Sequence, residues 1–526
     1  MPGEQKENLG LRLLKKSHKG ILRLIFSRTA IITLLLLFNF TILFLFLFRF
    51  STLWPEYYGL NALFILVMAL YLFNSGLDPS AKLTWLALIM LLPVFGAVLY
   101  LYSIMDVGHN AMAKRCRQIS VETRNSISQS EHLMDKVRRE APELAALHSY
   151  LSRVDCFPVY DRTDVQYFPS GEAKFAALLQ ELEKAEKFIF LEYFILDEGI
   201  MWGNVLDILA RKVKEGVEVR LLYDGNCEFT TLPRSYPKML AGLGIQCRVF
   251  SPVSPFVSTH YNYRDHRKIL VIDGHTAFTG GVNLADEYIN RVERFGHWKD
   301  TAIMLKGEAV KSFTLMFLQM WCMGDKTTEL GDYLSAPTYP PENAGGFVLP
   351  YGDSPLDTER VGHQVYLDII NRSERYVHIM TPYLILDAEM ENALKFAARR
   401  GVDVSLILPG IPDKRMPYAL AKTHYKALIS AGVRIYEYSP GFVHAKVFVS
   451  DDIKAVVGTI NLDYRSLSHH FECAAYMQGT ACIADIEKDF EETRALCRRA
   501  SMETVKKEKL HVKLTGYLLK VVAPLL

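Results

Sequence analysis

Two stretches of this 526-residue chain repeat one spacing of side chains that can do chemistry. The first holds His266, Lys268 and Asp273, followed by Gly281 and Asn283; the second holds His444, Lys446 and Asp451, followed by Gly458 and Asn461. Both read H-x-K-x-x-x-x-D. On a strand, residues i and i+2 face the same way, so each histidine projects beside its lysine. Two imidazoles, two ammonium groups and two amides suit the transfer of a phosphoryl ester. Lysine and asparagine neutralise the non-bridging oxygens as charge shifts in the transition state. One neutral imidazole attacks phosphorus to give a phosphohistidine. The other, protonated, donates to the departing alkoxide and later deprotonates the incoming alcohol. With an ordinary pKa of about 6.5, imidazole serves in either state near neutral pH.

The elements that must position these residues are repeated too. KFIFLEYFILDEG (187–199), an amphipathic helix over 204–215 and GVEVRLLYD (216–224) match RYVHIMTPYLILD (375–387), a helix over 388–399 and GVDVSLILP (401–409). LAGLGIQCRVF (240–250) then matches LISAGVRIYEY (428–438), and HRKILVIDGHTAFTGGVNL (266–284) matches HAKVFVSDDIKAVVGTINL (444–462). A tandem duplication into two βαβ-rich lobes related by a pseudo-twofold axis accounts for the matches, and the fold class is α/β.

Three runs, 29–48, 57–77 and 83–105, contain no charged side chain. Each is long enough as a helix to cross about 30 Å of hydrocarbon, so N-terminal transmembrane helices are expected. Residues 1–28 carry Lys6, Arg12, Lys15, Lys16, Lys19, Arg23 and Arg28 and read as a basic juxtamembrane segment. Lys114, Arg115, Arg117 and Arg124 put positive charge on the other flank as well. Three full spans cannot keep both flanks inside. Either 29–48 crosses and one positive flank lies outside, or a segment is re-entrant, for which Pro93–Gly96 is the candidate; the reading adopted has a cytoplasmic catalytic region. The organisation is then 1–28 basic segment, 29–105 transmembrane region, 106–150 helical linker, 151–335 first lobe, 336–510 second lobe and 511–526 amphipathic tail. Sixty Lys+Arg against 58 Asp+Glu give a net charge of +2, which argues against a general nucleic-acid binder. Eight cysteines show no CxxC or Cys/His ligand spacing, so neither a zinc site nor a disulfide framework is expected. They read as buried thiols facing a reducing compartment.

On these residues the chain resembles the phospholipase D superfamily, whose hallmark is the doubled motif. Within it the chain is similar to the bacterial cardiolipin synthases, through LLPVFGAVLYLY (91–102), RDHRKILVIDG (264–274), GHWKDTAIMLKG (296–307) and the run from Gly441 to Leu467. The resemblance implies two phospholipase D-like lobes and a multi-pass enzyme of the bacterial cell membrane. It implies catalytic His266, Lys268, Asp273, His444, Lys446 and Asp451, with Asn283 and Asn461 on the substrate phosphate. His266 as nucleophile is analogy alone. Asp273 and Asp451 belong to the signature either as part of the chemistry or as holders of the turn after the strand. Asp300 and Glu472 match the carboxylates that orient the histidines. Two positions depart from the family pattern, Asp265 and His470 where asparagine is usual; His470 either alters the pH dependence next to Glu472 or is an exposed polar substitution, and the latter is the reading adopted. Glu192, Tyr193, Pro382 and Tyr383 end strands that border the site.

The implied reaction makes cardiolipin and glycerol from two phosphatidylglycerol molecules, with no metal or nucleotide cofactor because the number of phosphoester bonds is conserved. The implied partners are phosphatidylglycerol and anionic membrane lipid, with no nucleic acid and no obligate protein partner. A hydrolytic phospholipase D making phosphatidic acid, and an inactive lipid-binding scaffold, are the alternatives. The tail HVKLTGYLLKVVAPLL (511–526) either lies in the membrane interface or packs on the lobes.

Overall fold

A computed structural model describes residues 56–91, 107–154, 157–252, 263–338 and 344–525, with a few positions between 41 and 101. The described residues fall into two compact units, one drawn from 111–253 and 261–519, the other from 14–110 and 520–526.

In the larger unit the first half supplies β1 (Thr163–Phe168), β2 (Phe188–Tyr193), β3 (Glu218–Asp224), β4 (Gln246–Phe250), β5 (Arg264–Asp265), β6 (Lys268–Ile272), β7 (Thr276–Gly280), β8 (His297–Lys299) and β9 (Ala302–Gly307). The second half supplies β10 (Phe347–Asp353), β11 (Tyr376–Met380), β12 (Asp403–Pro409), β13 (Arg434–Tyr438), β14 (Gly441–Val443), β15 (Val447–Ser450), β16 (Lys454–Gly458), β17 (His470–Gln478) and β18 (Cys497–Arg499). The first sheet runs β1-β9-β7-β6-β2-β3-β4 and the second β10-β17-β16-β15-β11-β12-β13-β18. Strand for strand the two orders match, and β18 is an addition at one edge. In both, the three strands that follow helical crossovers are parallel and the motif strand, β6 or β15, is antiparallel to its neighbour β2 or β11. The expected duplication is therefore a duplication of topology.

Local chemistry explains the repeated corners. Gly216 and Gly401 close the helices Ile200–Lys214 and Ala388–Arg399 at φ 93° and 97°, a left-handed turn that costs glycine nothing. Burial on both faces gives β2 its unbroken apolar run, Phe188 to Leu191.

The stretch 106–150 is not a linker. Its helices Glu131–Glu140 and Pro142–Val154 bury Leu133, Met134, Val137, Leu144, Leu147 and Leu151 in the same core that joins both lobes. The amphipathic spacing that marked it as helical is the face that docks.

Asp273 and Asp451 sit in the turns after β6 and β15, at φ 51° and 58°. Asp273 accepts hydrogen bonds from the backbone N–H groups of Glu186, Lys187 and Phe188, each at 2.8 Å. Asp451 does the same for Glu374, Arg375 and Tyr376, at 2.8–2.9 Å. Each aspartate thus fixes the start of the neighbouring parallel strand, roughly 20 Å along its own strand from the histidine at about 3.3 Å per residue. Their place among the catalytic residues is corrected on this geometry to the turn-holding alternative.

In the smaller unit, helices Glu56–Asn74 and Pro79–Leu91 pack through Met68, Leu72, Trp85 and Ile89, with Ala97 and Tyr100. Thr84 Oγ1 donates to the Val521 carbonyl at 2.6 Å. Among the described residues no helix is long and apolar enough to cross a membrane, so the spans expected over 57–77 and 83–105 are not shown. The run 29–48 and the Pro93–Gly96 interruption lie almost wholly outside the described residues.

Removing either turn aspartate strands three backbone donors. Asp273→Ala or Asp451→Ala is expected to cost roughly 3 kcal/mol of stability, measured by thermal unfolding in detergent. A variant that keeps its stability but loses all turnover would return the pair to the chemistry.

Candidate active site

His266 stands between β5 and β6. The short β5 does not join its own sheet but adds in parallel to the start of β17, pairing Arg264 with His470 and Asp265 with Phe471. The His266 N–H then donates to the Phe471 carbonyl at 2.9 Å. The second half mirrors this. β14 adds in parallel to β8, and the His444 N–H donates to the Lys299 carbonyl at 2.7 Å. The next residue along each accepting strand is an acid, Glu472 or Asp300. Nδ1 of His266 lies 2.9 Å from both oxygens of Glu472, and Nδ1 of His444 lies 2.7 Å from Asp300 Oδ2. Both carboxylates are fully buried and the histidines are 6% and 7% exposed. A carboxylate on Nδ1 fixes the tautomer and leaves Nε2 for attack or for proton delivery.

The motif lysines fold back so that Lys268 Nζ donates to the His266 carbonyl and Lys446 Nζ to the His444 carbonyl. Lys446 Nζ also lies 2.9 Å from His444 Nδ1. Burial takes Lys268 down to about 8 and Lys446 to about 7. Burial likewise lowers both imidazoles: His444 to about 4, with the Lys446 charge adding to the shift, and His266 well below its ordinary value against the pull of Glu472. Burial alone raises the two acids, but His444 and His266 outweigh it and hold Asp300 and Glu472 below the usual carboxylate range. A buried cluster of bases short of protons is ready for an anion, which restores charge to lysine and imidazole together.

Asn283 and Asn461 differ. Asn283 accepts from the Ile195 N–H at 3.0 Å and donates to the Tyr288 hydroxyl at 2.8 Å. Asn461 Oδ1 is buried with no partner among the described residues. The motif glycines answer to close approach: a Cβ on Gly281 would lie 2.0 Å from Asp300 Oδ1, and one on Gly458 2.3 Å from Ala474 Cβ.

Of the bordering positions, Glu192 is fully buried on the face opposite Lys268, against Asp265 and Arg267, and burial raises both of these acids, Asp265 to about 6. Tyr193 receives a hydrogen bond from Lys174 at 3.2 Å. Pro382 and Tyr383 line a cleft with Lys414 and Phe442, and Tyr383 donates to Asp413 at 2.6 Å.

Three residues of the site escaped the sequence reading. Lys174, 2% exposed, donates to the Val282 carbonyl at 3.3 Å, and burial takes it to about 7. Its signal was present: it occupies the apolar register of Gly171, Leu178 and Leu182 on its helix. Thr459 donates to Glu472 Oε2. His470, read as exposed, is buried beside His266; as the first residue of a strand that runs into the core it has no solvent face.

Imidazole and carboxylate atoms lie close enough to share a metal ion in three groups among the described residues: His266/His470/Glu472, His363/Asp387/Glu389 and His378/Glu487/Glu491. In each, a histidine is already 2.9 Å from a carboxylate, and that pairing accounts for the cluster.

Comparison with known proteins bears on this arrangement. The family model described as "Cardiolipin synthase, PLD-like domain" matches residues 178–321 and 366–494, and "Phospholipase_D-nuclease N-terminal" matches 62–102. Cardiolipin synthase 2 of Bacillus anthracis is 33% identical over 86% of this chain and 88% of its own length. Cardiolipin synthase of Alkalihalophilus pseudofirmus is 32% identical over 81% and 85%. An uncharacterized protein of Streptococcus mutans is 55% identical over 87% of this chain and 99% of its own. Phosphatidylserine synthase of Haemophilus influenzae shares the fold, with a TM-score of 0.53 at 15% identity over 69% of this chain and 93% of that one. The doubled lobe is thus that of the phospholipase D superfamily. Within it the chain belongs to the cardiolipin synthase family of enzymes, phosphatidyltransferases acting on phospholipid.

The depressed lysines fix two opposite pH trends. Folded Lys446 and Lys268 lose their protons near pH 7 and 8, whereas the unfolded chain keeps them to about 10.5. Between about pH 8 and 10 the unfolded state binds more protons, so stability rises with pH. Turnover falls over the same range as the clamp loses charge. Parallel unfolding and turnover profiles check this; stability that falls alongside activity contradicts it.

Proposed function

We propose that this enzyme makes cardiolipin and glycerol from two molecules of phosphatidylglycerol through a phosphohistidine. The observation that carries the reading is the pair of cross-lobe contacts, His266 with Glu472 and His444 with Asp300, which give one site two equally prepared imidazoles. His266 attacks phosphorus while His444 protonates the departing glycerol; His444 then takes the hydroxyl proton of the second phosphatidylglycerol as its oxygen displaces the histidine. Lys268, Lys446 and Asn461 hold the non-bridging oxygens, and Asp300 and Glu472 orient the imidazoles. The number of phosphoester bonds is unchanged, so the exchange needs no activated nucleotide.

The reading places the enzyme at an anionic membrane with its lobes on the cytoplasmic side. The uncharged run 29–48, the basic flanks and the exposed apolar residues Leu63, Leu66 and Leu70 support that setting.

The test is a product assay on the purified, detergent-solubilised protein with labelled phosphatidylglycerol and a chelator present. Cardiolipin with one glycerol per turnover is expected. His266→Ala and His444→Ala are each expected to lower the rate at least about 1,000-fold. Phosphatidic acid as the sole product makes the enzyme a hydrolase with the same residues.

A further inference from the structure

His470 is a third imidazole in this site. Its ring lies 5.4 Å from that of His266 and 6.4 Å from that of Phe194. It is 8% exposed, and neither ring nitrogen has a hydrogen-bond partner among the described residues. The nearest acid is Glu472, whose Oε1 lies 3.6 Å from Nδ1, an ion-pair separation longer than a hydrogen bond, with His266 and Thr459 held closer on the same carboxylate. An imidazole carries at least one N–H in every protonation state. Burying that donor unpaired costs free energy, which a bound acceptor returns.

The twofold relation identifies what stands in its place across the site. The carbonyls of Phe471 and Lys299 accept from the two motif histidines, so these residues are equivalent, as are Glu472 and Asp300 after them. His470 is therefore the counterpart of Trp298. The Trp298 ring lies 5.4 Å from His444, the same separation, and is flanked by Phe442 and Tyr288, each at 4.8 Å. Its Nε1 is also unpaired, but an indole offers one N–H and holds no charge. One histidine is backed by a second imidazole and the other by aromatic hydrocarbon.

We propose that His470 is a substrate contact that donates an N–H to a non-bridging oxygen of the phosphodiester and so seats the phosphorus in the His266 half of the site. This rests on the phosphatidyl-transfer reading. In the first step the His266 Nε2–P bond forms, the P–O bond to glycerol breaks, and the proton of His444 goes to the glycerol oxygen. In the second the acceptor hydroxyl oxygen bonds to phosphorus, the N–P bond breaks, and the hydroxyl proton returns to His444. His470 makes and breaks no covalent bond; it keeps the anionic oxygens on the His266 side throughout. Asn283 commits its oxygen to the Ile195 N–H and one of its two N–H groups to the Tyr288 hydroxyl.

Inorganic phosphate is the probe, measured as a competitive inhibitor of phosphatidylglycerol turnover by the full-length protein in detergent. H470F is expected to raise the phosphate KI about 10-fold or more, while H470Q, which keeps a side-chain N–H, stays within about 3-fold of the parent. If H470F does not fold, as judged by its unfolding midpoint, H470A carries the same expectation. A parental KI in H470F or H470A, or a KI raised as much in H470Q, overturns the contact, the latter because it marks a packing role. The product made by the parent protein separates the two claims. Phosphatidic acid alone, with the KI contrast intact, removes the transferase reading and leaves His470 on the phosphate.

Discussion

Each motif histidine depends on the opposite lobe for both its backbone anchor and its carboxylate. His266 takes its N–H acceptor and its acid from consecutive residues of β17, and His444 takes the same pair from the segment that runs from β8 into Asp300. Neither lobe alone holds an oriented imidazole. That constraint explains features a single lobe leaves puzzling. β5 and β14 are only two and three residues long and pair with strands of the other half because their task is to carry a histidine across. Equivalent glycines sit where the acid-bearing segments approach most closely, Gly280 against Thr301 and Ala302 and Gly458 against Cys473 and Ala474, and Gly281 lies against Asp300 itself. The helices of 131–154 join the common core, so the lobes are locked before a substrate arrives.

Burying two acids, two lysines and two imidazoles together carries a desolvation cost that ion pairing rarely recovers in full. The site settles it by shedding charge: the lysines drop toward neutral pH and the imidazoles below their ordinary range. Only the two acids stay firmly ionised, each held by a histidine. An arriving phosphodiester reverses this, since its negative charge makes protonated lysine the favoured state. The donors are then fixed before the charge they must stabilise develops, which is the form of electrostatic catalysis that a low-dielectric site makes effective.

The duplication, its strands and the six motif residues were legible because each is a pattern that recurs along the chain. The repeated glycine corners and the apolar runs fixed the parallel strands, and the Asp300 and Glu472 roles came through family resemblance. What stayed hidden depends on distance in space. Lys174 sits in the apolar register of its helix, a signal that the position is buried but not of what the buried ammonium meets. Asp273 and Asp451 share the motif with the histidines, yet strand length alone carries them to the far end, where three backbone donors wait. Hydropathy marked 57–77 as apolar, and Glu56–Asn74 is one continuous helix over most of that run. His470 was misplaced because polar character in a strand suggests an exposed face, and β17 has none.

A twofold site faces a problem that its symmetry creates. Two identical halves would bind a phosphodiester in two orientations with equal energy, and an alcohol would leave toward either histidine. Transfer through a phosphohistidine, as proposed, needs one histidine to hold phosphorus and the other to hold the proton. The differences between the halves fall where that choice is made. Glutamate faces His266 and aspartate faces His444; Thr459, which donates to Glu472, has Gly281 as its counterpart, with no side chain to give Asp300. His470 opposes Trp298 across the same twofold relation. Glutamate and aspartate accept alike and the Thr459 hydroxyl is taken by Glu472, so of the three differences it is the His470 ring that adds a second nitrogen to the His266 half. A handful of side chains around the two histidines thus tells apart the halves of a frame that is otherwise the same twice.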